Sequence, residues 1–206
     1  MFTGITRGTF PIVALERSPD LLRYTVDLGE EFAAGLEPGA SVSIDGVCQT
    51  VVRLDSGRID FDAITETLER TTLGSLAEGT LVSVERSARV GDEIGGHDVS
   101  GHVLGTGEIL EYRHDGDLCE LKIGVDPAWM RFIQTKGFIA IDGSSLTIGE
   151  RDRAGWFWIH LIPETLRLTN FGRKKVGDRV NVELDARTVT IVETVERVLA
   201  ERAADD

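Results

Sequence analysis

The chain has 206 residues, with 22 Lys+Arg against 35 Asp+Glu and a formal net charge of −13. An apolar content of 41% with only five prolines belongs to a packed chain rather than a disordered one, and the length suits one large domain or two small ones. The carboxylate excess repels phosphate backbones and argues against a nucleic-acid partner, and there is no run of the roughly 18 apolar residues that a membrane-spanning helix needs.

The opening residues, MFTGITRGTF, carry neither a basic stretch nor a long apolar run, so no secretory leader is expected. Two cysteines, Cys48 and Cys119, do not make a disulfide framework, and a reducing cytoplasm is the expected compartment. TGITRGT, from Thr3, reads as a strand, and a short helix is expected near Glu30 to Leu36, ahead of the turn LEPGA. IDGVCQTV (Ile44 to Val51) reads as a turn and strand. TETLERTTLG follows from Thr65 and the strand LVSVERSAR from Leu81.

From there the chain repeats itself. SGHVLGT, from Ser100, matches TGITRGT, and IDGSSLTI (Ile141 to Ile148) matches IDGVCQTV. PETLRLTNFG, from Pro163, matches TETLERTTLG, and RVNVELDAR, from Arg179, matches LVSVERSAR. Four matches in order at nearly constant spacing mark a tandem duplication. One short helix is expected in DPAWMRFIQTKG, residues 126–137. Trp156, Trp158 and His160 alternate with Phe157, Ile159 and Leu161, and Val180, Val182 and Leu184 alternate with Asn181 and Glu183. That is the period-two pattern of half-buried strands. Turn signals such as DSG, AEG and VGD punctuate these short strands, as in small closed or Greek-key barrels. The expected organisation is a barrel over 1–97, a second over 98–188 and a tail over 189–206. In the tail Ile191, Val192, Val195, Val198 and Leu199 fall at helical spacing, with Glu193, Glu196, Arg197 and Glu201 opposite. Such a helix either packs on its own barrel or meets copies from other subunits.

Two copies of one barrel imply two copies of one pocket. Bringing two identical ligands together supplies on the order of 7–11 kcal/mol of a bimolecular barrier. The repeats differ where their motifs meet: Cys48 corresponds to Ser145, Ile5 to His102 and Val47 to Ser144. Unequal pockets suit a reaction in which one molecule loses a proton and the other is attacked. No Cys/His spacing resembles a zinc site, and His97 and His102 sit in a Gly-rich run, so no metal is expected.

MFTGI, IDGVCQTV, TETLERTTLG, GDEIGGHDVSGHV, KGFIAIDGSSLTIG, HLIPETL and KKVGDRVNVELD together resemble riboflavin synthase of the alpha-chain type, in order, over about residues 1–200. The resemblance implies a mainly β fold, two tandem six-stranded Greek-key barrels and a C-terminal α-helix. It implies dismutation of two 6,7-dimethyl-8-ribityllumazine molecules to riboflavin and 5-amino-6-ribitylamino-uracil, without cofactor or metal. It further implies a homotrimer joined through the tail helices, with the reactive site between the N-terminal barrel of one chain and the C-terminal barrel of its neighbour. Association with lumazine synthase is left open. The rival reading is a non-catalytic lumazine- or flavin-binding antenna protein of the same fold. Such proteins tend to lose the polar site residues of one half.

For the site, the resemblance points to Gly4, Ile5 and Thr6, to Cys48, Gln49 and Thr50, and to Asp62, Ala63, Ile64, Thr65, Glu66 and Thr67 in the first barrel. In the second it points to Gly101, His102 and Val103, to Ser145, Leu146 and Thr147, and to His160, Leu161, Ile162, Pro163, Glu164 and Thr165, with Lys136 beside them. Phe2 is expected against a flat ligand or a neighbouring barrel. His102 suits proton transfer at the lumazine methyl group. Cys48, Ser41, water or a ribityl hydroxyl is the expected nucleophile, and Lys136 is expected to steady an anionic intermediate. Ser145 and Thr147 alternate on one strand and so share a face. Asp185, matched by Ser87 in repeat one, is expected to be catalytic or orienting, whereas Asp142 and its match Asp45 read as turn formers. Gln49 and Phe171 depart from the residues usual in the family at their positions.

Overall fold

The computed structural model describes residues 1–116 and 118–205. Strands β1 (Gly8–Arg17), β2 (Leu21–Asp27), β3 (Ser41–Ile44), β4 (Val47–Asp55), β5 (Arg58–Ile64) and β6 (Leu81–Arg86) close one antiparallel barrel in the order β1-β2-β5-β4-β3-β6. Strands β7 (Gly105–Asp115), β8 (Leu118–Gly124), β9 (Phe138–Ile141), β10 (Ser144–Asp152), β11 (Trp156–Leu161) and β12 (Arg179–Leu184) close a second in the same order, six strands later. The duplication extends to the irregularities. Register slips between Ile12 and Ala14 and between Val51 and Arg53 recur between Ile109 and Glu111 and between Ile148 and Arg151. Extra residues at these points bend the strands so that six can close.

Alternation fills each interior. Tyr24, Phe61 and Leu22 lead the first core, and Leu121, Ile123, Phe157 and Ile159 the second. The helix expected near Glu30 to Leu36 shortens to α1 (Gly29–Ala33), and the chain leaves it through Gly35 at φ +71°. The short helix expected in residues 126–137 is a 3-10 turn, Pro127–Arg131. Asp126 caps it through the Ala128 amide, and the chain then departs to bury Phe132 and Ile133 in the core. The matched segments after β5 and β11 each form a short helix, α2 (Thr65–Arg70) and α3 (Pro163–Leu168), followed by a 3-10 turn. The tail helix, α4 (Ala186–Asp205), starts earlier than its apolar pattern suggested. Val189 and Val192 rest on the second barrel, while Ile191, Val195 and Leu199 stay exposed. Among the described residues no helix is long and apolar enough to cross a membrane.

The barrels meet about a pseudo-two-fold axis. Phe2 and Val99, equivalent in the two repeats, pair with each other (Phe2 N to Val99 O 2.7 Å, Val99 N to Phe2 O 3.1 Å). Gly46 and Gly143 lie back to back, so close that a Cβ on Gly46 would come 2.4 Å from the Gly143 nitrogen. Asp45 and Asp142 do form turns, at φ +45° and +43°, but both are also buried in a polar cluster. Asp45 accepts from the Ser83 amide (2.6 Å) and from Asn170 Nδ2 (2.8 Å). Asp142 accepts from the Asn181 amide (2.7 Å), and its second oxygen lies 2.7 Å from Lys174 Nζ. Burial and the neighbouring Asp142 push Asp45 up to about 8, against the pull of Lys174. Burial works against the Lys174 charge, yet Asp142 and Asp45 outweigh it and hold the ammonium above its ordinary value.

Candidate active site

The interiors are filled, and the candidate site residues Cys48, Thr50, Ser145 and Thr147 lie on the outer faces. Cys48 and Thr50 project from β4 away from its core, and Ser145 and Thr147 do the same on β10, so each pair does share a face. Ser41, directly opposite Thr50 in the β3–β4 ladder, is half-buried beside the first pair. Leu146, Ala63 and Leu161 are core residues whose side chains point into the barrels. Gln49, expected on a pocket wall, instead turns its amide into the barrel. There it accepts from the Tyr24 hydroxyl (3.1 Å) and donates to the Cys48 carbonyl (2.9 Å), because a buried amide must find partners.

The grouping of segments differs from the expectation. The residues before β1 leave their own barrel. Gly4 O accepts from the Ser145 amide on β10 (2.8 Å), and reciprocally Gly101 O accepts from the Cys48 amide on β4 (2.9 Å). Gly4 to Thr6 therefore lie against the second barrel, and Gly101 to Val103 against the first. Thr6 reinforces this by a 3.2 Å contact with Ser144 Oγ, and Val103 packs into the first core. Two carboxylates that sequence reasoning passed over hold the crossings. Glu85 accepts from the Thr3 amide (2.7 Å), the Thr3 hydroxyl (2.8 Å) and the Gly4 amide (3.0 Å). Glu183 accepts in the same way from Ser100 and Gly101. Burial pushes the Glu85 carboxyl up, even though these bonds pull it down. The signal was a Glu at the matching place in LVSVER and RVNVEL.

The first site thus gathers Cys48, Thr50 and Ser41 with Gly101, His102 and the start of α2. His102 is exposed and opens on a cavity of about 530 Å³ shared with Glu66, Val103, Phe132 and Val189. Cys48 packs on Phe2, Val99 and Ala140. Phe2, 1% exposed, is consumed by that packing between the barrels and offers no face to a ligand. Asp62 is held in a bidentate pair by Arg23 (2.8 and 2.7 Å), which lowers its carboxyl below the ordinary value. Thr65 donates to the Asp20 carbonyl (3.3 Å), and Thr67 is half-buried on α2.

The second site gathers Ser145, Thr147, Gly4, Ile5 and Thr6 with the start of α3, where Pro163 and Glu164 are exposed and Thr165 is half-buried. Ile64 and Ile162, 55% and 64% exposed, occupy the same strand-to-helix corner in the two sites, where an apolar ring could lie. His160 projects outward and pairs with Glu120 (3.0 Å). Lys136 has φ +67°, and its match in repeat one is Gly39 at +91°. Left-handed backbone disfavours a Cβ by roughly 1–2 kcal/mol, and Lys136 is exposed there.

Asp185 caps α4. Its Oδ2 accepts from the Thr188 amide (2.9 Å) and hydroxyl (2.6 Å). Partial burial raises its carboxyl, but these bonds, with His97 nearby, outweigh it and leave it lowered. Asp185→Ala is expected to cost about 1 kcal/mol and Asp185→Asn much less, by urea unfolding near neutral pH. With the folded value lowered, this contribution is full above the unfolded pKa and disappears as pH falls through the folded one.

A lumazine binding domain family model matches residues 3–87 and again 100–185, one match per barrel. Riboflavin synthase of Escherichia coli (strain K12) is 45% identical over 203 residues, 98% of this chain and 95% of that protein. The chain belongs to the riboflavin synthase family. A second member, from Chlamydia pneumoniae, is 38% identical over the full length of both. Among solved structures, LumP complexed with riboflavin superposes with a TM-score of 0.84 at 24% identity, covering 90% of this chain and all of that one. At that identity the likeness speaks for the shared fold alone. The two matched domains end at residues 87 and 185, the second immediately before α4.

Proposed function

We propose that the protein is a riboflavin synthase of the cytoplasm. It moves a four-carbon unit between two 6,7-dimethyl-8-ribityllumazine molecules, yielding riboflavin and 5-amino-6-ribitylamino-uracil, without cofactor or metal. The supporting observation is the pair of equivalent outer-face sites, each built from a strand of one barrel and a crossing segment of the other, with unequal side chains in the two. Binding two like substrates in defined poses lowers the barrier chiefly by orientation. In this reading His102 handles the proton at the lumazine methyl group. Cys48 or Ser41 meets the other ring, Lys136 faces the anion, and Ser145 and Thr147 contact the ligand of the second site. Purified protein in chelator-treated buffer is expected to form one riboflavin per two lumazines consumed. Tight lumazine binding without product would support an antenna function instead.

The exposed Ile191, Val195 and Leu199 lie four residues apart along α4, a stripe suited to a homotrimer contact. Such a trimer would bring the first site of one chain to the second site of its neighbour. Deleting residues after Val189 is expected to give monomers in sedimentation and to abolish turnover. A trimer that survives the deletion overturns this assignment.

A further inference from the structure

His97 is a feature of the second site that neither repeat pattern nor side-chain matching anticipated. It is 7% exposed, its amide donates to the Thr3 carbonyl (3.2 Å), and its Nδ1 lies 2.6 Å from Ser145 Oγ. The approach depends on Gly96, where a Cβ would stand 2.2 Å from the Thr3 carbonyl oxygen and 2.6 Å from Ser145 Cβ. The ring is stacked on Phe138 (centroids 5.1 Å apart, planes at 17°), which fixes its plane. Burial holds the imidazole below its ordinary value. Asp185, Glu183 and Asp98 push the other way and Arg187 adds to the burial effect, so the ring is neutral at neutral pH.

A neutral ring has one N–H. The other nitrogen, Nε2, is buried with no partner among the described residues. Buried orphan N–H groups are rarer than buried orphan acceptors, which favours the proton on Nδ1 with Ser145 Oγ accepting.

Among the described residues the first site has no such arrangement. Cys48, in the place of Ser145, packs on apolar Phe2, Val99 and Ala140, and Ser41, opposite Thr50, takes the place that Phe138 holds opposite Thr147. We propose that His97 is a positioning residue, whose Nδ1–H donates to Ser145 Oγ and so directs the serine hydroxyl hydrogen outward, making Ser145 a fixed donor to a carbonyl or ring nitrogen of the heterocycle in the second site only. The inference rests on the reading of Ser145 as a ligand contact. It supplies the physical difference between the two sites: one holds its ligand with an oriented donor suited to developing ring anion, the other with a thiol on an apolar bed.

Two arms test it. Nitrogen-15 NMR of the ligand-free wild-type protein is expected to show His97 neutral and protonated at Nδ1, and an Nε2–H tautomer overturns the inference whatever the protein catalyses. In turnover assays His97→Leu is expected to lower kcat by about 10- to 100-fold, the effect of losing a hydrogen bond that orients a reacting ligand, with KM changed by less than about threefold. His97→Asn, whose amide can donate from near the Nδ1 position, is expected to recover most of kcat. His97→Leu combined with Ser145→Ala should be no slower than Ser145→Ala alone, because the two residues act as one unit. Additive losses, or no rescue by Asn in a folded variant, overturn the inference. Wild-type protein that forms no riboflavin would overturn the proposed function while leaving the NMR arm decisive for the tautomer.

Discussion

Lys174→Ala is expected to lower stability by about 3–5 kcal/mol, the cost of leaving a buried charge without its partner. Asp142 is 1% exposed, and Lys174 Nζ, 2.7 Å away, is the cation that neutralises it. The same ammonium also donates to the Arg179 carbonyl (2.9 Å). Since the cluster spans both barrels, its loss should loosen the interface on which both sites depend. Urea unfolding at pH 7 checks this, and a loss below about 1 kcal/mol, the range of surface pairs, would contradict the buried-pair assignment.

The same cluster predicts a pH slope. Asp45 is held at about 8 in the fold against an ordinary value of 3.8, so the native state keeps a proton that the unfolded chain releases. Its contribution is fully present below the unfolded value and is lost as pH rises through the folded one. Stability should fall between about pH 4 and pH 8 and then level off. Asp45→Asn retains an oxygen acceptor for the Ser83 amide and should flatten that fall, measured as urea midpoints at pH 5 and pH 8.

Gly101→Ala is expected to reduce riboflavin formation at least about 100-fold, the order of loss that a misplacement of 1 Å produces, and to cost about 2–4 kcal/mol of stability from overpacking plus strain. Gly101 has φ +80°, and its added Cβ would stand 2.6 Å from Cys48 Cβ and 2.8 Å from the Cys48 nitrogen. That contact is where the second repeat's segment crosses onto the first barrel, beside His102. Gly79→Ala is the control: φ is +82°, but nothing lies within 4 Å. It should show the strain alone, about 1 kcal/mol, with turnover unchanged. Near-normal activity in folded Gly101→Ala would remove the crossing segment from the site.

Much of this architecture was legible because its signals are local. The strand alternation of Phe157, Ile159 and Leu161, the matched IDG turns and the four in-register segments specify two like barrels wherever they are placed in space. The brevity of the 3-10 turn at Pro127–Arg131 and the early start of α4 have local causes too. Buried apolar residues competed with helix continuation in the first, and an Asp185 cap set the second. Gln49 could not be placed from its neighbours, because its partner, the Tyr24 hydroxyl, comes from another strand of the barrel.

By itself the sequence determined the duplication, the strand periods and the positions in each repeat that carry polar site groups, because period and repetition are properties of the chain. Only the tertiary structure decided that each repeat lends its first residues to the other barrel, that Asp142 pairs with Lys174 beside a buried Asp45, and that His97 stands beside Ser145. Those outcomes depend on glycines that let backbones touch and on buried charges that must find partners far along the chain, and neither leaves a periodic mark on the residues nearby.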